Sequence, residues 1–144
     1  MNILFVCTGN TCRSPMAEVI AKSMAGGAGI AISSAGICAC DGSPASADSI
    51  ECVRRLGLSL DKHRARTLNQ KMVDASDLIL TMTSAHKDYI VMAFRDAGRK
   101  TYTIGEYGGV FTDISDPYLS GPAAYRQCAD ELMRLLNIAA SKWK

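Results

Sequence analysis

Along the chain, unbroken apolar runs alternate with stretches in which apolar residues return every three or four positions. Ile3-Leu4-Phe5-Val6 is such a run, and residues 2–7 are expected to form a buried strand. Ala17, Ile20, Ala21 and Met24 follow at helical spacing. They predict a helix over 15–25, with Ser14 as N-cap, Pro15 at the first helical position and Gly26-Gly27 as the stop. Ile30-Ala31-Ile32-Ser33-Ser34 reads as a second strand, stopped by Ala35-Gly36. A loop through Asp41-Gly42-Ser43-Pro44 leads to a second helix, marked by Ala47, Ile50, Val53 and Leu56 and closed by Gly57. Residues 58–67 are irregular and basic, and a short helix is expected over 69–75.

Residues 77–82 are apolar enough for a central parallel strand. Ser84 opens a helix that runs to residue 97, residues 100–104 form a fourth short strand, and a long loop spans 105–121. The last helix begins at Pro122 and turns Ala124, Cys128, Leu132, Leu135 and Ala139 inward, with Arg126, Asp130 and Arg134 facing water. Strands alternating with helices predict an α/β fold whose parallel sheet is covered on both faces. Ligands of such sheets bind beyond the carboxyl ends of the strands.

The length of 144 residues suits one domain, residues 1–144, with a sizeable core. A net charge of +2 is too small to argue for nucleic acid or a membrane surface. No apolar stretch approaches spanning length, and Met1-Asn2 leads straight into a strand, so a cytoplasmic protein is expected. Of the six cysteines, Cys52 and Cys128 fall in helical patterns and read as core packing. Cys7, Cys12, Cys38 and Cys40 with His63 have poor spacing for zinc, so no metal site is expected.

The chemistry gathers in Cys7-Thr8-Gly9-Asn10-Thr11-Cys12-Arg13-Ser14, a loop between a strand and a helix start. Backbone N–H groups in such a loop and the helix N-terminus make an anion cradle, and Gly9 and Asn10 tolerate the left-handed backbone it requires. Arg13 offers a planar fork for two phosphoryl oxygens. Positive surroundings favour Cys7 as a thiolate nucleophile. Cys-x5-Arg by itself also describes a buried thiol ending a strand and a solvated arginine; the strand before it and the Ser-Pro helix start after it favour the catalytic reading. A proton must reach the leaving group, and Asp116, stiffened by Pro117, is the candidate acid and later the base for water, with Asp113 as the fallback. Without the Cys7 loop, Asp116-Pro117 would read as a simple turn.

Cys7–Ser14, Ser34-Ala35-Gly36, His63-Arg64-Ala65-Arg66, residues 77–82 and Asp116-Pro117-Tyr118 together resemble the low-molecular-weight protein tyrosine phosphatase family, in its order and at its separations. The resemblance covers essentially the whole chain. It implies a three-layer sandwich with a four-stranded parallel sheet, a phosphate-binding loop after the first strand, a cysteinyl-phosphate intermediate, and no metal or cofactor. By position, Cys7 is the nucleophile, Arg13 the phosphate clamp and Asp116 the general acid and base. Ser14 hydrogen-bonds the thiolate, and Asn10 holds the loop with Ser34 and His63 supporting it; His63 also reads as a surface histidine. Thr8, Gly9, Thr11 and Cys12 complete the cradle, and Cys12 is the disulfide partner of Cys7 under peroxide, unless it is only a packed thiol.

Thr11 stands where tyrosine-directed members usually carry a bulky aliphatic residue. With Gly105-Glu106-Tyr107 and Asp113–Tyr118 it resembles the bacterial protein arginine phosphatases, and phosphoarginine is placed ahead of phosphotyrosine. Tyr118 supplies one aromatic wall, and Leu119 replaces a second aromatic of many eukaryotic members. The expected partners are phosphorylated proteins, with inorganic phosphate as product and competitive ligand, and the chain is expected to act as a monomer. Three rivals are weaker. An arsenate reductase would need further cysteines in residues 81–97, which hold none. A silent anion-binding regulator would have lost Cys7, Arg13 or Asp116, and a flavodoxin-like protein would have no use for them.

Overall fold

The computed structural model describes residues 1–26 and 29–143, so Gly27 of the expected helix stop lies outside the described residues. Four strands, β1 (Asn2–Cys7), β2 (Ala31–Gly36), β3 (Leu78–Thr81) and β4 (Thr101–Thr103), form one parallel sheet in the order β2-β1-β3-β4. Alternation along β1 feeds both faces. Ile3, Phe5 and Cys7 join Leu78 and Leu80 against α1 (Arg13–Ala25), α2 (Ala47–Arg54) and α6 (Pro122–Ala140). Leu4, Val6 and Ile79 pack the other way, against α3 (Gln70–Ala75) and α4 (Ser84–Ala93). The expected three-layer sandwich is the fold.

The strand order puts the chemistry at the switch point. The chain crosses from β1 outward to β2, then returns past β1 to β3 on its other side. A crevice therefore opens at the carboxyl end of β1, where the Cys7–Ser14 loop begins. No helix of the described residues is long and apolar enough to cross a membrane.

Several boundaries differ from the sequence reading, each for a local reason. α1 starts at Arg13 with Cys12 as its N-cap, so Ser14 lies inside the first turn and is not the cap. Its hydroxyl turns to Cys7 instead. β2 runs on through Ala35 and Gly36, which pair with Val6 and Cys7. Thr83, not Ser84, caps α4, and the helix ends at Ala93, before Asp96 takes a left-handed φ of 61°. β4 is shorter than expected because Thr103 and Glu106 form a capping box that starts a further helix, α5 (Ile104–Tyr107). That Thr-x-x-Glu signal straddles the expected strand over 100–104 and the expected loop after it. Glu106 also accepts from Lys87 at 2.6 Å, which holds its carboxyl below the ordinary range. In α6, Ala124 is only half-buried and Tyr125, 1% exposed, takes the inward place.

Candidate active site

Cys7 ends β1 with its side chain 3% exposed, and its Sγ lies 2.9 Å from Ser14 Oγ. Asn10 explains why that hydroxyl faces the sulfur. It is fully buried, with a left-handed φ of 56°. Its Nδ2 donates to Ser14 Oγ at 2.8 Å and to Ser34 Oγ at 2.9 Å. Ser14 Oγ therefore accepts from Asn10, and its own proton is free for Cys7 Sγ, with Ala35 O farther off at 3.5 Å.

The rest of Asn10 is held from across the sequence. Arg66 N donates to its Oδ1 at 3.1 Å, and His63 Nε2 donates to its carbonyl at 2.7 Å. Ser34 Oγ donates onward to Glu18 Oε1 at 2.5 Å, and Arg66 Nε donates to Ser34 O at 2.9 Å. Ser34 and His63 thus stand behind the loop rather than in the cleft. Glu18 and Arg66 belong to the same network and were missed as supports: no local pattern marks an arginine that uses its backbone N–H.

Gly36 adds a steric condition. A Cβ there would lie 2.6 Å from Thr8 O and 3.0 Å from Asn10 N, both backbone atoms. Gly36→Ala must therefore push the loop off β2. We expect it to lower kcat/KM about a hundredfold, since misplacement of this order carries such a cost. Steady-state kinetics beside a thermal melt check this; unchanged kinetics in a folded variant would contradict the close approach.

The loop floors a cleft of about 330 Å³. Cys7, Thr8, Thr11, Arg13, Asp116 and Tyr118 line it, and Cys38 and Cys40 form part of its wall. Arg13 is 5% exposed; its Nη1 donates to Ile114 O at 2.9 Å, and its Nη2 lies 3.7 Å from Asp116 Oδ2. The guanidinium therefore links the Cys7 loop to the loop carrying Asp116. That second loop is fixed from below, because Ile114 N donates to Met82 O and Ser84 N donates to Asp113 Oδ1, each at 2.9 Å. Asp113 is thus tied to the start of α4 and is not among the residues lining the cleft. Asp116 is half exposed and accepts from Tyr118 N at 3.0 Å.

Leu119 does not line the cleft. It is 84% exposed with a left-handed φ of 60°, and the turn that seats Tyr118 at the cleft carries it outward. Cys12 lines the cleft as a free thiol, with its Sγ 3.2 Å from Tyr125 Oη and 3.5 Å from Ser46 Oγ. Burial pushes the Tyr125 hydroxyl well above its ordinary range and the Cys128 thiol up to about 12; it also raises Cys52. Those two thiols are core, as their helical positions indicated.

His86 was read only as part of a helix. It is 5% exposed, and its Nε2 lies 2.9 Å from Thr8 Oγ1 in the loop. Among the described residues no group of His, Cys, Asp and Glu is arranged to hold a metal ion. Two larger clefts, one of about 500 Å³ against α3 and one of about 520 Å³ lined by Glu18, Asp61 and His63, hold no cysteine, so the smaller one with Cys7 carries the cysteine chemistry.

The model of the low molecular weight phosphotyrosine protein phosphatase family matches residues 2–141. The chain belongs to this family. It is a cysteine-dependent phosphatase, close to the family's bacterial arginine-phosphatase branch. It is 40% identical over 141 residues to the protein-arginine-phosphatase of Geobacillus stearothermophilus, covering 97% of this chain and 94% of that one. It is 43% identical over 137 residues to the low molecular weight protein-tyrosine-phosphatase PtpB of Staphylococcus haemolyticus, covering 95% and 96%. A solved YwlE arginine phosphatase, a cysteine-to-serine mutant with a phosphorylated active site serine, superposes with a TM-score of 0.94 at 36% identity, covering 99% of this chain and 95% of that one. In this phosphatase the cleft at the end of β1 brings Cys7, Arg13 and Asp116 together.

Proposed function

We propose that the whole chain is one catalytic domain that removes phosphoryl groups from arginine side chains of proteins, through a cysteinyl-phosphate on Cys7. The observation that carries this is the convergence of Cys7, Arg13 and Asp116 on one cleft. The phosphoryl group sits in the cradle with two oxygens on Arg13. Cys7 Sγ attacks phosphorus, with Ser14 donating to the sulfur so that its negative charge is stabilised. The bond from phosphorus to the leaving group breaks, and Asp116 gives that group its proton. Asp116 then takes a proton from water as the water attacks phosphorus. The P–S bond breaks, the thiolate is regenerated against Ser14, and inorganic phosphate departs. The solved relative with a phosphorylated serine in place of its active-site cysteine supports a covalent intermediate at this position.

Two features support phosphoarginine. Thr11 lines the cleft as a small polar residue where an aliphatic one would narrow it. Tyr118 is the only aromatic side chain among the described residues lining the cleft, so a phenyl ring has no sandwich to enter. A protein-arginine-phosphatase among the relatives supports the same choice. Phosphotyrosine is the second reading, favoured by the comparable identity to PtpB.

The deciding experiment compares kcat/KM for phosphoarginine and phosphotyrosine peptides in the wild type and in Thr11→Ile. We expect the wild type to prefer phosphoarginine by at least about tenfold, and the substitution to erase that margin, since one well-placed polar contact discriminates on this scale. A phosphotyrosine preference in both proteins would make this a tyrosine phosphatase in which Thr11 only fills space.

A further inference from the structure

Thr8 has a role that its place in the loop does not explain. Its side chain is exposed to the cleft, and its hydroxyl is also 2.9 Å from His86 Nε2. The imidazole thus fixes one side of the hydroxyl of a residue that lines the cleft. His86 is built in for this. It sits in the first turn of α4, its backbone N–H bonded to Thr83 Oγ1 at 3.1 Å. Its Nδ1 is buried without a hydrogen-bond partner.

Burial, reinforced by the Arg13 charge, pushes the His86 pKa down to about 4 against the weaker pull of Asp113 and Asp116, so the ring is uncharged at neutral pH. An uncharged imidazole has one N–H and one bare nitrogen, and its tautomer decides what Thr8 offers. With the proton on Nδ1, Nε2 takes the Thr8 O–H and the Thr8 lone pairs face the cleft. With the proton on Nε2, Thr8 presents a donor instead. A guanidino leaving group carries N–H donors, whereas a phenolic ester carries none.

We infer that Thr8 and His86 form a specificity-determining pair, in which the Thr8 hydroxyl donates to His86 Nε2 and its oxygen accepts an N–H from the guanidino group of phosphoarginine. Thr8 touches the substrate; His86 positions Thr8. The inference deepens the phosphoarginine reading and rests on it.

The test uses the full chain with Thr8→Val and His86→Leu, which remove the bond, and Thr8→Ser and His86→Gln, which can restore it. The ratio of kcat/KM for phosphoarginine over phosphotyrosine peptides should fall about tenfold in the first two variants and stay within about twofold of the wild type in the second two. Long-range nitrogen–proton spectra of the wild type should place the His86 proton on Nδ1, and amide spectra of each variant report its folding. Equal losses toward both substrates in Thr8→Val and His86→Leu would reduce the pair to a prop for the loop. A proton on Nε2 would overturn the inference even if the bond-breaking variants failed to fold. A wild type that prefers phosphotyrosine overturns the phosphoarginine reading itself, and is seen before any variant is made.

Discussion

Cys7→Ser is expected to turn over no phosphorylated protein at a measurable rate, a loss of about 10⁴-fold or more in kcat. The substitution keeps the size of the side chain and its place 2.9 Å from Ser14 Oγ, so the cradle should still bind phosphate. What changes is the chemistry of both steps. A hydroxyl is a far weaker nucleophile than a thiolate, and the group bonded to this position, the Ser14 hydroxyl, is not a base that would activate it. The phosphate ester that a slow attack would form is also harder to break than a P–S bond, because an alkoxide leaves less readily than a thiolate. The relative that holds a phosphorylated serine is consistent with a first step that completes and a second that does not. Intact mass spectrometry after incubation with a phosphopeptide should show no more than one phosphoryl group per chain, with no free phosphate accumulating. Sustained phosphate release by the variant would remove the cysteinyl-phosphate from the mechanism.

Asp116→Asn is the second large effect, an expected loss of about 10²–10⁴ in kcat. Asparagine can still accept from Tyr118 N through its amide oxygen, so the turn over Pro117 should persist. The ion pair to Arg13, 3.7 Å away in the wild type, is lost. Because Asp116 is half exposed and Arg13 keeps its bond to Ile114 O, stability should change by no more than about 1 kcal/mol. The catalytic loss should depend on the leaving group. Substrates whose leaving group needs a proton should suffer fully, and an aryl phosphate of an acidic phenol much less, until the second step limits it. Single-turnover and steady-state rates across a series of aryl phosphates measure this. A loss of equal size in the first step for every leaving group would mean that Asp116 shapes the cleft without delivering the proton.

Much of this is legible in the sequence. A strand, a loop and a helix start are contiguous, so the Cys7–Ser14 cradle is built within one short segment. The spacing from Cys7 to Arg13 and the Asp-Pro stiffening of Asp116 are local properties too. Errors arose where local signals competed. Ser14 has the chemistry of an N-cap, but its hydroxyl is drawn to Cys7 and Asn10, and Cys12 takes the cap. Ala35-Gly36 looks like a strand stop, yet the missing side chain of Gly36 is what lets β2 run beneath the loop.

The sequence by itself determined the four strands, most of the helices between them and the loop that carries Cys7 and Arg13, because hydrophobic period and loop spacing act between residues close along the chain. Tertiary structure decided who stands around them. The order β2-β1-β3-β4 brings the start of α4 beside the Cys7 loop, so His86 meets Thr8 across 78 residues. The same order sets Arg66 and His63 behind Asn10, makes Cys38 and Cys40 a wall of the cleft, and leaves Leu119 outside it. These contacts are set by the packing of a buried sheet against its helices and by the demand that each buried polar group find a partner, and neither is visible in the spacing of residues along the chain.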